Sequence, residues 1–188
     1  MESESFDRFL KLLLKWNQTY NLTAITNENE IQIKHFEDSL APLPFLPAKC
    51  RLLDIGCGAG FPGIPLKIKR PDLEIILLDS QRKRIAFCEA AIRELHLKDI
   101  SAIHGRAEDK KIQQQLGCFD IVISRATFSL EKFLALTLPF TKKNGTAIAM
   151  KGPEEENTVV AGWALFKNFP YELSQGMGKR VLYIFQKN

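Results

Sequence analysis

The chain of 188 residues is 45% apolar and 26% charged, with a formal net charge of +4; this supports one domain with a sizeable core and is far from the extreme basicity of a histone-like binder. No run approaches the roughly 20 apolar residues of a membrane span, and the acidic start MESESFDRFL has no signal-peptide core, so a cytoplasmic protein without a membrane anchor is expected. Cys50, Cys57, Cys88 and Cys118 show no paired spacing, and His35, His96 and His104 are scattered, which argues against both a disulfide framework and a metal site.

Phe6, Phe9, Leu10, Leu13 and Leu14, followed by Trp16, recur at helical spacing over 5–18. The segment YNLTAI at 20–25 breaks that period. Residues 28–41 read as a second helix, ended by the proline-rich APLPFLP. The segment 42–47 is the expected linker between an N-terminal helical cap, residues 1–47, and a core of residues 48–188. From Arg51 the pattern alternates, with strands predicted at 51–55, 74–78, 100–104, 119–123 and 145–150. Helices are predicted at 62–69, 82–96, 108–116 and 129–139, as in successive βαβ units. Pro62 and Pro65 fall in the first turn of their helix, where a missing N–H costs little. A further helix is predicted over 154–167, then a closing hairpin from 171–174 and 180–186. Basic residues cluster at Lys67, Lys69 and Arg70, at Arg82, Lys83 and Arg84, at Lys110 and Lys111, at Lys142 and Lys143, and at Lys179 and Arg180. These read as solvated faces that together permit a polyanionic substrate.

The most informative stretch is DIGCGAGFPG, residues 54–63. Gly56, Gly58 and Gly60 alternate directly after the first core strand, where a turn in an open α/β sheet holds nucleotide-like cofactors against bare backbone. A dinucleotide fingerprint needs GxGxxG, but its third glycine position is Phe61. The tighter GxGxG turn is that of S-adenosylmethionine-dependent methyltransferases. Asp79 ends the second strand, placed to accept hydrogen bonds from both ribose hydroxyls or to cap the helix that begins near Gln81. Asp54 is expected to brace the glycine loop through backbone N–H groups, with reach toward a cofactor ammonium. Cys57 reads as a small filler of that loop.

The acceptor is narrowed by what the segment after the fourth strand contains. Exocyclic amine methylation of bases commonly uses an Asn/Asp-Pro-Pro-aromatic motif there, but this chain has Ile123-Ser124-Arg125-Ala126. Pyrimidine carbon methylation needs a cysteine nucleophile in a dedicated loop, and Cys118 precedes the strand. A ring nitrogen with a free lone pair, such as guanine N7, needs neither, because positioning supplies most of the catalysis.

The chain resembles the GidB/RsmG family of bacterial 16S rRNA (guanine-N7) methyltransferases. The resemblance rests on Asn21-Leu22-Thr23-Ala24-Ile25, on HFEDSL at 35–40, on DIGCGAGFPGIP at 54–65 and on Leu77-Leu78-Asp79-Ser80 with Lys83-Arg84. Gly105-Arg106-Ala107-Glu108, Ile123-Ser124-Arg125-Ala126 and Lys151-Gly152 extend it. It implies a class I methyltransferase fold, a Rossmann-like and mostly parallel seven-stranded sheet, acting with S-adenosylmethionine on a guanine of the 530 loop. The partners implied are 16S rRNA and the small ribosomal subunit, with the enzyme a monomer. Cofactor contacts are implied at Gly56, Phe61, Ala107, Glu108 and Arg125, alongside Asp54, Gly58, Gly60 and Asp79; no catalytic base is required. Asn21, His35, Lys83, Arg84 and Lys151 are the expected RNA contacts. Each has a plainer alternative: Phe61 as core, Glu108 as a helix-first-turn acid, Arg125 as a surface ion pair, and Asn21, Thr23, His35, Asp38 and Ser39 as caps and interhelix bonds. Competing functions are methylation of another RNA base or a small molecule, and a non-catalytic assembly factor with a vestigial cofactor loop. An NAD-dependent oxidoreductase is disfavoured by Phe61.

Overall fold

A computed structural model describes residues 2–153 and 160–188. The chain begins with the amphipathic helix α1 (Glu2–Tyr20) and a short α2 (Glu28–Ile31). A π-helical turn at Gln32–Glu37 and a last turn, α3 (Asp38–Leu40), continue α2. The core then alternates β1 (Arg51–Ile55), α4 (Gly63–Lys69), β2 (Glu74–Asp79), α5 (Arg82–Glu94), β3 (Ile100–His104), α6 (Lys110–Leu116), β4 (Phe119–Arg125), α7 (Leu130–Thr137) and β5 (Thr141–Lys151). It closes with the hairpin of β6 (Trp163–Glu172) and β7 (Lys179–Lys187). The sheet order is β3-β2-β1-β4-β5-β7-β6, with β1 to β5 parallel and β7 antiparallel to both β5 and β6. The expected seven-stranded, mostly parallel sheet is therefore present.

The order reverses between β1 and β4, and at such a switch point the flanking loops part to leave a crevice beyond the carboxyl ends of the strands. The glycine turn follows β1 at that crevice, and Arg125 is the last residue of β4. The central strands are apolar on both faces because helices cover both. Leu52, Ile121 and Ile123 face one cluster, and Leu53, Ile55 and Val122 face another. Helix α1 belongs to the first cluster: Phe9, fully buried, meets the rings of Phe36, Phe61 and Phe87 at 5.4, 5.4 and 6.1 Å.

Two expectations need correction. Of the helix predicted over 154–167, residues 154–159 lie outside the described residues, and its later part is strand from Trp163 onward. Antiparallel pairing with β7, from Trp163 opposite Lys187 to Glu172 opposite Lys179, overrides local helical tendency there. Pro170 is tolerated because β6 is an edge strand, and Trp163 is anchored by its Nε1 donating to Leu134 O at 3.0 Å. Lys67 is not a solvated cation but is 2% exposed. Its Nζ donates to Pro71 O and Leu73 O, satisfying carbonyls of the α4–β2 turn, and burial pushes its pKa down.

Because Phe9 is shared between cap and core, Phe9→Ala is expected to lower the unfolding free energy by about 3–5 kcal/mol. Denaturant titration followed by tryptophan fluorescence measures this.

Candidate active site

The glycine turn is held from below by two buried acids. Asp54, 0% exposed, accepts from Gly63 N at 2.9 Å, which ties the start of α4 to β1. Its other oxygen has no hydrogen-bond partner among the described residues. Burial pushes its pKa up to about 7, against the lowering effect of the Gly63 N–H. Asp54 therefore braces the loop as expected, but it is sealed beneath it, and the expected reach toward a cofactor ammonium is not seen. Asp79, 4% exposed, accepts from Gly58 N at 3.0 Å and from Gln81 N at 2.8 Å, with Arg84 Nη1 at 3.4 Å. One carboxylate thus joins the glycine turn to the residue that opens α5, but Gln81 is the N-cap of that helix and no side chain caps it, so Asp79 is not the helix cap that the sequence offered as its plainer reading.

Gly56 and Gly58 both have positive φ, +70° and +58°. A Cβ at Gly56 would lie 2.7 Å from Thr127, whereas the space over Gly58 is open. Gly60 is turned the other way: a Cβ there would lie 2.4 Å from Ile64. It shapes the turn against α4 and does not line the cleft. Cys57 is buried, and its hydrogen bond with Cys88, reinforced by burial, raises its pKa well above the usual thiol range. This is the neutral filler expected of it.

Two recesses open over this floor and share Gly56, Arg84 and Thr127. The first lies over the ends of β1, β2 and β3 and is lined by Asp79, Ser80, Ala107, Glu108 and Phe128. Gly105 N donates to Asp79 O at 3.0 Å, which brings the third-strand loop against the acid. Glu108 is half exposed and 3.8 Å from Lys132, a pair too solvated to contribute much. The second recess is lined by Leu22, Thr23, His35, Gly58, Phe61 and Arg125. Gly56, Gly58, Asp79, Ala107 and Glu108 are thus brought together with Phe61 and Arg125. Thr127 and Phe128 were not singled out in the sequence; they enter because the loop after β4 folds back over the glycine turn, and no local pattern marks that.

The wall of the second recess is a buried polar network. The Arg125 guanidinium donates through Nη1 to Lys34 O at 3.0 Å and to Asp38 Oδ2 at 3.2 Å, and through Nη2 to His35 Nδ1 at 3.1 Å. The π turn supplies a reachable carbonyl there, since its wider pitch alters the regular α-helical pairing. With Nδ1 accepting, the His35 proton sits on Nε2, 2.8 Å from Thr23 Oγ1. The imidazole also stacks on Phe61, centroids 4.7 Å apart, and the Arg125 guanidinium lies 5.1 Å from the same ring. Asn17 braces the NLTAI segment by exchanging hydrogen bonds with Thr23. Tyr171 donates its hydroxyl to Asp38 Oδ1 at 2.7 Å. The sequence marks neither: Tyr171 acts on a residue 133 positions away, and Asn17, six residues from Thr23, sits at the end of α1 with no pattern that shows which backbone it braces. The expected RNA residues scatter more widely. Lys83 Nζ donates to Tyr20 O at 2.8 Å, Lys151 Nζ donates to Phe128 O, and Asn21 is exposed, the cleft lining coming from Leu22 and Thr23.

Burial first, and then the Arg125 charge, push His35 down to about 4. The folded protein resists protonating this ring, so its contribution is intact above about 6.5 and is lost as pH falls toward 4. Asp54 works in the opposite sense, its stabilising protonation being lost as pH rises through 7. Stability measured against pH should fall less steeply between 6.5 and 4 in His35→Gln than in the wild type; identical slopes would remove His35 as a source.

The profile of the family described as GidB, rRNA small subunit methyltransferase G, matches residues 2–168. A ribosomal RNA small subunit methyltransferase G of Streptococcus equi subsp. zooepidemicus is 43% identical, covering 99% of this chain and 84% of that protein. The Lactococcus lactis subsp. cremoris protein of the same description is 40% identical, covering 98% and 82%. Among solved structures, a SAM dependent methyltransferase from Aquifex aeolicus superposes with a TM-score of 0.63 at 17% identity, covering 85% of this chain and 93% of that one. A putative methyltransferase, yhhF of Escherichia coli, gives 0.61 at 17%, covering 81% and 83%; at such identities these two establish the fold alone. With a family match running from α1 into β6 and relatives 40–43% identical over nearly the whole chain, the chain belongs to the GidB family, rRNA small subunit methyltransferase G.

Proposed function

We propose that this enzyme transfers the methyl group of S-adenosylmethionine to N7 of a guanine in the 530 loop of 16S rRNA, working as a cytoplasmic monomer on the small ribosomal subunit. The observation that carries the reading is the paired recess over a GxGxG turn, with Asp79 under one half and the His35–Arg125 wall beside the other. The residues suit that cofactor. Open space over the left-handed Gly58 admits a ligand against backbone. In this reading Asp79 accepts from the ribose hydroxyls, Ala107 and Glu108 meet the adenine edge and Phe61 walls the methionine portion; what supports it is that the four line the two recesses. The bound cofactor supplies a sulfonium methyl group, which a guanine N7 lone pair takes without losing a proton first. What this chain must do is hold the acceptor in line and keep water out. The neutral His35 and the four-way anchored Arg125 provide a rigid wall for that purpose.

No helix among the described residues is long and apolar enough to cross a membrane, and no cluster of His, Cys, Asp or Glu among them is suited to a metal ion. Mass mapping of 16S rRNA from cells with and without the protein tests the reading directly, the expected change being loss of one methyl group on a 530-loop guanine. Calorimetry of Asp79→Ala should show cofactor affinity weakened by about 1.5–3 kcal/mol; unchanged affinity with a lowered melting temperature would leave Asp79 as a brace of the glycine turn only. For the RNA face, Lys83→Ala should reduce methylation of ribosomal substrate. Lys142→Ala should not, because Lys142 pairs with Asp120 at 2.7 Å at the opposite end of the sheet.

A further inference from the structure

Arg125 is paired with Asp38, and Asp38 faces a second cation. On the side of Arg125 away from the glycine turn, a further recess is bordered by Asp38, Lys34, Lys151 and Arg180 over the apolar Ile25 and Met150. Asp38 is 3% exposed, and its two oxygens have different partners. Oδ2 accepts from Arg125 Nη1 at 3.2 Å. Oδ1 accepts from the Tyr171 hydroxyl at 2.7 Å, and Arg180 Nε stands 3.9 Å from the same oxygen.

Sheet register explains why these two side chains meet at one oxygen. Tyr171 of β6 lies directly opposite Arg180 of β7. Opposed residues of an antiparallel pair project from the same face, so both arrive at Asp38 together. Their claims on it differ in kind. The hydroxyl bond is short and charge-assisted, and such bonds are strong. Burial first, and then the Asp38 charge, push the Tyr171 phenol well above its usual range, so it stays a donor. Arg180 stands at ion-pair distance with its side chain 29% exposed, and a solvated pair contributes little. Without the hydroxyl, Oδ1 is left to Arg180. A guanidinium readily takes both oxygens of a carboxylate, and Oδ2 is the oxygen that holds Arg125. Arg125 can least spare it: burial disfavours its charge, and Asp38 is the foremost group opposing that effect.

The Tyr171 ring is placed independently of its hydroxyl. It stacks on Phe169 at 6.4 Å, and Phe169 meets Phe45 edge-on at 5.2 Å. Tyr171→Phe therefore removes the oxygen and keeps the aromatic row.

We propose that Tyr171 is a positioning residue: its hydroxyl fixes Asp38 on Arg125 and denies the carboxylate to Arg180. The consequence for the methyl donor rests on the reading that Arg125 borders the cofactor cleft; the consequence for Arg125 itself does not.

Two measurements test this. Solvent exchange of the Arg125 guanidinium protons, followed by NMR, reports how firmly that side chain is held, and calorimetry reports S-adenosylmethionine binding. In Tyr171→Phe the protons should exchange faster and the dissociation constant should rise about 3- to 10-fold, the range of one net hydrogen bond. Arg180→Met keeps a long side chain and removes the competing donor. Combined with Tyr171→Phe it should largely reverse both effects, whereas a purely structural loss is not repaired by removing a second polar group. Wild-type exchange in Tyr171→Phe would overturn the proposal, as would faster exchange that Arg180→Met leaves unrelieved. Failure of the wild type to bind S-adenosylmethionine would overturn the cofactor reading, and the exchange comparison would still decide the role of Tyr171.

Discussion

The cleft depends on one buried cation. Arg125 leaves the end of β4, crosses to the N-terminal cap, and meets two backbone carbonyls, a carboxylate and an imidazole there. Taking a guanidinium out of water is expensive, and an ion pair alone seldom recovers that cost. Here Asp38 supplies the opposing charge and the π turn and His35 supply the remaining acceptors, so the charge is both paired and hydrogen-bonded. The arrangement is a registry device. Asp38 is held in turn by Tyr171 from β6, so cap, central strand and closing hairpin meet around one carboxylate. Hydrophobic burial is the larger source of stability: the Phe9, Phe36, Phe61 and Phe87 cluster holds the cap on. The Arg125 network adds directional polar contacts between the cap and β4.

The same wall keeps His35 from serving as a base. His35 stacks on Phe61 and accepts from Arg125 at Nδ1 with its proton directed at Thr23, and burial beside a cation keeps it neutral. An imidazole so placed orients neighbours and does not exchange protons near neutrality. That suits attack by a ring nitrogen with a ready lone pair, where geometry supplies the rate. The glycine turn is prepared in the same manner, with Asp54 and Asp79 fixing its backbone from two strands.

A single crevice, divided by Arg125 and His35, thus holds chemically different halves. On one side lie a carboxylate and bare glycine backbone; on the other lie cations and apolar walls. The partition comes from tertiary packing of the cap, since the α/β core by itself leaves the ends of β4 and β5 open.

Much of this was legible in the residue string, for physical reasons. Apolar runs spaced by helical segments require a parallel sheet, and glycines alternating after a strand require left-handed backbone, so the β1 turn and Asp79 were identifiable before any coordinates. Local chemistry also marked the closing hairpin, although pairing with β7 converted Trp163 and its successors from the predicted helix into strand. What the string could not show were contacts between residues remote in sequence. Lys67 read as a surface charge because its carbonyl partners lie on a turn that only packing closes over it. Gly60 and Asp54 read as cofactor contacts, yet backbone direction turns one toward Ile64 and seals the other beneath the loop. Tyr171 gave no local sign of its hydroxyl bond to Asp38. Sequence alone determined the fold class and the cofactor turn, because those follow from local periodicity and backbone freedom; only the tertiary structure decided which polar side chains share a buried site, because such partners are chosen by where distant elements come to rest.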